Sequence, residues 1–202
     1  PEYTDSYEIN FGRFSRGISV NLGAYYRYTT DEIERFKQVN EDGTSIATYA
    51  NIDEERTKGI EYNFVGTLRK NLRLMLSGSV YWDEINSNLF GSDYNKTIQG
   101  QRIRFTTMWN INPKTEFMFF MFYRPASDIA IGTMNALNFS SMSFKRKLMD
   151  DRLNLTLNIG DPFNLSGFGF RTWGDFDDDG TRDWEQYSER KWQSRNIRLS
   201  IE

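Results

Sequence analysis

The chain has 202 residues, no cysteine, no histidine and a formal charge of −3, so disulfides, thiolate chemistry, imidazole bases and Ser-His-Asp or Cys-His catalysis are excluded from it. Its basic residues are scattered along the sequence, without the run or stripe that marks a nucleic-acid binder. A mean hydropathy of −0.67 leaves no stretch near the roughly 20 apolar residues of a membrane helix, yet aromatics make up 16%, and a β-barrel wall dilutes lipid-facing residues one to one with polar ones.

Apolar and polar residues alternate along most of the chain, which predicts about nine strands, since strand side chains point to opposite faces with period two. The first covers about Asp5 to Phe14, with Tyr7, Ile9 and Phe11 on one face, and Ser15, Arg16 and Gly17 turn it tightly. The second climbs through Ile18, Val20, Leu22, Ala24, Tyr26 and Tyr28 toward Val39, and Asp42-Gly43 is a hairpin signal. The return from Thr44 to Leu68 places Ile60, Tyr62, Phe64 and Leu68 opposite Glu61, Asn63 and Thr67; Arg69, Lys70 and Asn71 close the next short turn. A fourth strand, with Leu72, Leu74, Leu76, Gly78, Val80 and Trp82 on one face, runs to about Asn86 and is followed by a polar loop through Gly100.

The fifth strand presents Ile103, Phe105, Thr107, Trp109 and Ile111, and ends at Asn112-Pro113-Lys114, because proline punctuates a sheet. The sixth, Thr115 to Tyr123, carries Met118, Phe120 and Phe122 on the face that is wet elsewhere, which predicts apolar filling there. After a loop from Arg124 to about Asn135, Ala136 to Leu148 reads as a seventh strand with no clearly oily face. Met149 to Arg152 makes the fourth short turn, an eighth strand reaches Gly160, the longest loop extends to about Lys191, and Ile197, Leu199 and Ile201 mark the ninth strand.

The short turns lie at one end of these strands and the long loops at the other, as periplasmic turns and extracellular loops do in outer-membrane barrels. A soluble antiparallel sandwich or lipocalin-like barrel also alternates, but it has no reason to segregate loop length so consistently. The oily faces of the clear strands lack charge, aromatics such as Tyr26, Tyr28, Trp82 and Tyr123 fall toward strand ends, and Arg27, Arg73, Arg104 and Glu116 occupy the other face. That pattern points to lipid outside and a wet lumen. The expected fold class is therefore all-β: an antiparallel transmembrane β-barrel segment. About nine strands do not form a closed bacterial barrel by themselves, so residues 1–202 are expected to be one part of a larger barrel domain.

Four stretches carry a family resemblance. Residues Pro1 to Glu8 (PEYTDSYE), Tyr26 to Ile33 (YRYTTDEI), Thr57 to Glu61 (TKGIE) and Asp161 to Asn164 (DPFN) resemble, in order, landmarks in the second half of TonB-dependent receptor barrels. They are most similar to the version in their outer membrane β-barrel family. The resemblance implies the C-terminal portion of a 22-stranded barrel in the bacterial outer membrane, importing scarce or bulky nutrients. It also implies a plug and a TonB-contacting region ahead of Pro1, and in some relatives a surface lipoprotein partner. The other class of reading is a structural or interaction barrel within an envelope complex, with no import. Neither reading assigns bond-making chemistry to the chain.

Candidate sites follow from the loops and the wet face. Asp175, Asp177, Asp179 and Asp183 follow a D-x-D-x-D-G-x-x-D spacing, which brings alternate carboxylates round a hard cation such as calcium, although the closing bidentate Glu is replaced by Gln186; a solvated acidic loop is the plainer reading. Trp173, Trp184 and Tyr94 are loop aromatics suited to stacking on a ligand or partner. Arg102 and Arg104, with Arg27 and Arg73, offer the lumen an attraction for anions, or pair with Glu61, Glu84 and Glu116.

Overall fold

The computed structural model describes residues 2–39, 44–87, 94–129, 132–174, 184–191 and 195–202. The strands are β1 (Tyr3–Ser15), β2 (Ile18–Val39), β3 (Ser45–Arg69), β4 (Leu72–Ser87), β5 (Tyr94–Asn112), β6 (Thr115–Arg124), β7 (Ser127–Ile129), β8 (Gly132–Met134), β9 (Leu137–Leu148), β10 (Leu153–Gly160), β11 (Gly167–Gly174), β12 (Trp184–Lys191) and β13 (Asn196–Ile201). Nine form one antiparallel sheet in the order β1-β2-β3-β4-β5-β6-β9-β10-β13, and the others form a second sheet, β12-β11-β8-β7.

The turns behave as their residues dictate. Arg16 and Gly17 take φ of 46° and 80°, the two positive angles of a tight hairpin whose twist matches its strands. At the third turn Pro113 supplies its fixed φ, and Lys114 N donates to Asn112 Oδ1 at 3.0 Å. Met149, Asp150 and Asp151 all have positive φ, and Arg152 N reaches back to Met149 O at 3.2 Å.

Register carries the apolar alternation from strand to strand without a slip onto the other face. Leu22 lies opposite Tyr62, which lies opposite Gly78, then Ile103 and Tyr123. Phe117 is followed across the sheet by Phe144, Leu157 and Leu199. No protein layer covers this face: among the described residues Ile85 is the single buried hydrophobic, while Ile9 is 73% exposed. An oily face left uncovered by protein is what a lipid-facing wall requires and what a soluble sandwich lacks.

The apolar band also drifts across the sheet. The row through Leu22, the middle of the band on β2, reaches Asn138 on β9 and, continued, passes residue 163, whereas the band on β10 is centred near residue 156. A drift of about seven residues toward the turns over about six strand steps is roughly 24 Å against 29 Å, a lean of about 40°, within the tilt of outer-membrane barrel strands. The band is level when the strands lean.

The structure revises three loop expectations. The polar loop after β4 is shorter, because Asn86 pairs with Asn95 and the strands continue above the apolar band. The loops over 124–135 and 161–191 contain β7, β8, β11 and β12. The order β7-β8-β11-β12 repeats that of β6-β9-β10-β13, so the second sheet continues the outer ends of those four strands after a break. Pro125, lacking an N–H, stands at one break. Asp161 stands at another, 1% exposed: its carboxylate accepts from Leu165 N at 3.0 Å and Ser166 N at 3.1 Å, and its own N–H donates to Ser140 O at 2.8 Å. The Asp161 to Asn164 stretch is thus the pivot between the sheets.

Candidate functional site

The wet face of β1 to β6 is built from two adjacent cross-strand rows. One runs Asn21, Asn63, Ser77, Arg104, Phe122; the other runs Asn10, Gly23, Glu61, Ser79, Arg102. Together they line a concavity of about 410 Å³. Gly23 is needed there, since a Cβ at that position would lie 2.6 Å from Asn10 Oδ1.

The row above sets the arginines. Tyr25 lies across Gly59 of β3 and Tyr81 across Gly100 of β5; a Cβ on Gly59 would fall 2.6 Å from the Tyr25 ring, and one on Gly100 would run into the Tyr81 ring. Each aromatic then carries a guanidinium, Arg27 at 4.7 Å from the Tyr25 centroid and Arg102 at 5.4 Å from that of Tyr81. Such stacking is worth about 0.5–1 kcal/mol at exposed sites. It fixes Arg102 without using its N–H donors, and among the described residues neither Arg102 nor Arg104 makes an ion pair. Amides, hydroxyls, one carboxylate and two guanidinia on rigid strands can hold a polar or anionic ligand by hydrogen bonds.

Arg102 and Arg104, expected on the lumen side, are brought together here. Their expected partners differ in placement. Glu61 lines the same concavity, but Glu84 sits on the opposite face, where it accepts from Lys58 Nζ at 2.6 Å; the alternation that carries Trp82 outward carries Glu84 with it. Arg27 faces Glu8 at 3.5 Å.

Met118, Phe120 and Phe122 do occupy the wet face, opposite Ser143, Ser141 and Phe139, and Phe120 meets Phe139 edge-on at 6.2 Å. Of the loop aromatics, Trp173 and Trp184 stand on β11 and β12, not on the strands that line this concavity. Trp173 is opposite Glu185 and Trp184 opposite Gly174, so they point to opposite faces of the small sheet and form no clamp. Tyr94 opens β5 opposite Ser87, and its side chain lies outside the described residues. Asp175, Asp177, Asp179 and Asp183, with the calcium reading, also lie outside them. Among the described residues no cluster of three or more His, Cys, Asp or Glu is placed to hold a metal.

Tyr25 and Tyr81 carry no functional mark in the sequence taken one strand at a time. The available signal was an aromatic or glycine two residues before a wet-face arginine, in Tyr25-x-Arg27 and Gly100-x-Arg102, but the pairing across strands needs the register. A model of the outer membrane protein beta-barrel family matches residues 1–202. No curated protein and no solved structure matches the chain. With its uncovered apolar face, leaning strands and wet inner face, and with the family model matched end to end, this chain belongs to the outer membrane protein β-barrel family and resides in the bacterial outer membrane.

Proposed function

We propose that this chain forms wall and extracellular loops of a TonB-dependent transporter that brings a nutrient ligand through the outer membrane. The observation that carries the reading is the inner face, where Arg102 and Arg104 stand beside Asn10, Asn21, Asn63 and Glu61 in one concavity. Among the described residues neither arginine makes an ion pair, which leaves their charge available to an anionic ligand. The four landmark stretches support it as a resemblance, and Asp161 to Asn164 has a definite structural task among them. Energy coupling belongs to a plug and TonB-contacting region elsewhere in the protein, and this chain performs capture and passage rather than bond making. The outer loops are where a surface lipoprotein would dock.

The test compares growth and uptake on siderophores, cobalamin, glycans and peptides in wild-type cells, a deletion of this protein and a strain lacking TonB. The proposal expects at least one ligand on which both deficient strains fail alike, with uptake lowered by Arg102→Gln plus Arg104→Gln. Unchanged uptake in the deletion strain, with the protein copurifying with envelope partners in fixed ratio, would overturn it in favour of a structural barrel.

A further inference from the structure

We propose that Arg146, braced by Thr115, binds the phosphate of an anionic phospholipid in the periplasmic leaflet. The inference rests on the barrel wall and is independent of transport.

Arg146 is the charged residue the apolar face of β9 should not have. Its row runs Thr115, Arg146, Leu155, Ile201, and along β9 it stands between Phe144 and Leu148. Phe144 and Phe117, with ring centroids 4.7 Å apart, form the next row toward the membrane centre. A guanidinium facing lipid costs about 2–4 kcal/mol at the midplane and little near the interface, so this side chain is tolerated by reaching toward the headgroups. Arg146 Nη1 donates to Thr115 Oγ1 at 2.5 Å, which steers one edge of the fork. The remaining donors of its five N–H groups have no ion-pair partner among the described residues, and the turn carboxylate Asp150 faces Lys114 at 3.5 Å. A planar fork with free donors matches a phosphate diester.

The surroundings supply the field. The cations are scattered along the sequence but gather once the strands are paired: ten of the 25 Lys and Arg residues lie within five residues of the four short turns, against three of the 28 Asp and Glu. Counting Glu202, which pairs with Asn154 at the same end, that end carries six net positive charges and the remainder of the chain nine net negative, giving the total of −3. Short turns face the periplasm in such barrels, and a basic rim at a leaflet boundary attracts anionic headgroups. The occupant is a lipid because the fork lies on the apolar face, where acyl chains reach and a dissolved phosphate does not.

The test is native mass spectrometry of the intact protein, extracted from the outer membrane in mild detergent, with phosphatidylglycerol or phosphatidylethanolamine of identical acyl chains added. The wild type should retain one phosphatidylglycerol several-fold better than phosphatidylethanolamine, and added inorganic phosphate should not displace it. Arg146→Gln should lower that retention about tenfold, Arg146→Lys should lower it less, and Arg198→Gln on the wet face should leave it unchanged. Equal retention of the two lipids by the wild type would overturn the proposal, as would undiminished retention by Arg146→Gln. Should Arg146→Gln fail to assemble, the wild-type headgroup comparison and Arg146→Lys decide.

Discussion

The small sheet continues four strands of the large one, yet only the large sheet announces itself in the sequence. In the nine-stranded sheet one face meets lipid and the other water, and the difference in solvent forces period-two alternation on every strand that crosses the band. Above Pro125 and Asp161 the strands leave the apolar band. There the β12 sequence WEQYSERK is polar on both faces, and the stretch is held by cross-strand contacts such as Arg171 Nε to Glu185 Oε1 at 3.2 Å. Lys96 Nζ ties the upper sheet to the lower by donating to Ile129 O at 2.6 Å. Sheet pairing therefore persists past the membrane, while its sequence signature stops at the boundary.

The largest expected effect breaks that difference directly. Leu76→Arg puts a charge mid-band on the lipid side and should cost about 2–4 kcal/mol, read as a lower denaturant midpoint for insertion into lipid vesicles. Ser77→Glu, one residue away on the wet face and opposite Arg104, should leave the midpoint nearly unchanged.

Next is the pivot. Asp161→Ala strips two part-buried N–H groups of their charged acceptor, and hydrogen bonds to a charged group are worth about 1.5–3 kcal/mol. Amide exchange should quicken in β11 and β12 while β2 to β5 stay protected, which separates the upper sheet from the wall. Gly100→Ala tests the wet-face scaffold. With the Tyr81 ring against the added carbon, overpacking should cost about 1–3 kcal/mol, and Tyr81→Ala in the same chain should recover much of it. The smallest effect belongs to Lys58 and Glu84, both exposed above the band: Glu84→Gln should shift the midpoint slightly at low salt and not at all at high salt, because screening has already removed the attraction.

What the sequence disclosed follows the same boundary. Leu72 to Trp82 and Ile18 to Tyr26 were legible because lipid tolerates no exceptions there. The outer part of β5, from Tyr94 to Gly100, read as loop because above the band Lys96, Thr97 and Gln99 have water available on either side. β9 was ambiguous for a different reason: Asn138 and Ser140 lie at the outer end of its oily face and Arg146 near the inner end, leaving Met142 and Phe144 as the visible core of the pattern. In the candidate site Arg102 and Arg104 were legible one strand at a time from alternation. The seats of Tyr25 on Gly59 and Tyr81 on Gly100 were not, because they join residues 34 and 19 positions apart through register alone.

Which face of the wall meets lipid is directly measurable, because this chain has no cysteine of its own to compete with one introduced by mutation. Single cysteines placed along β4 of the intact protein in outer membranes, at Leu74, Met75, Leu76, Ser77, Ser79 and Val80, would be exposed to a charged, membrane-impermeant thiol reagent. The account predicts labelling at positions 75, 77 and 79 and protection at 74, 76 and 80. Equal labelling at all six, or labelling confined to the leucine and valine positions, would contradict it.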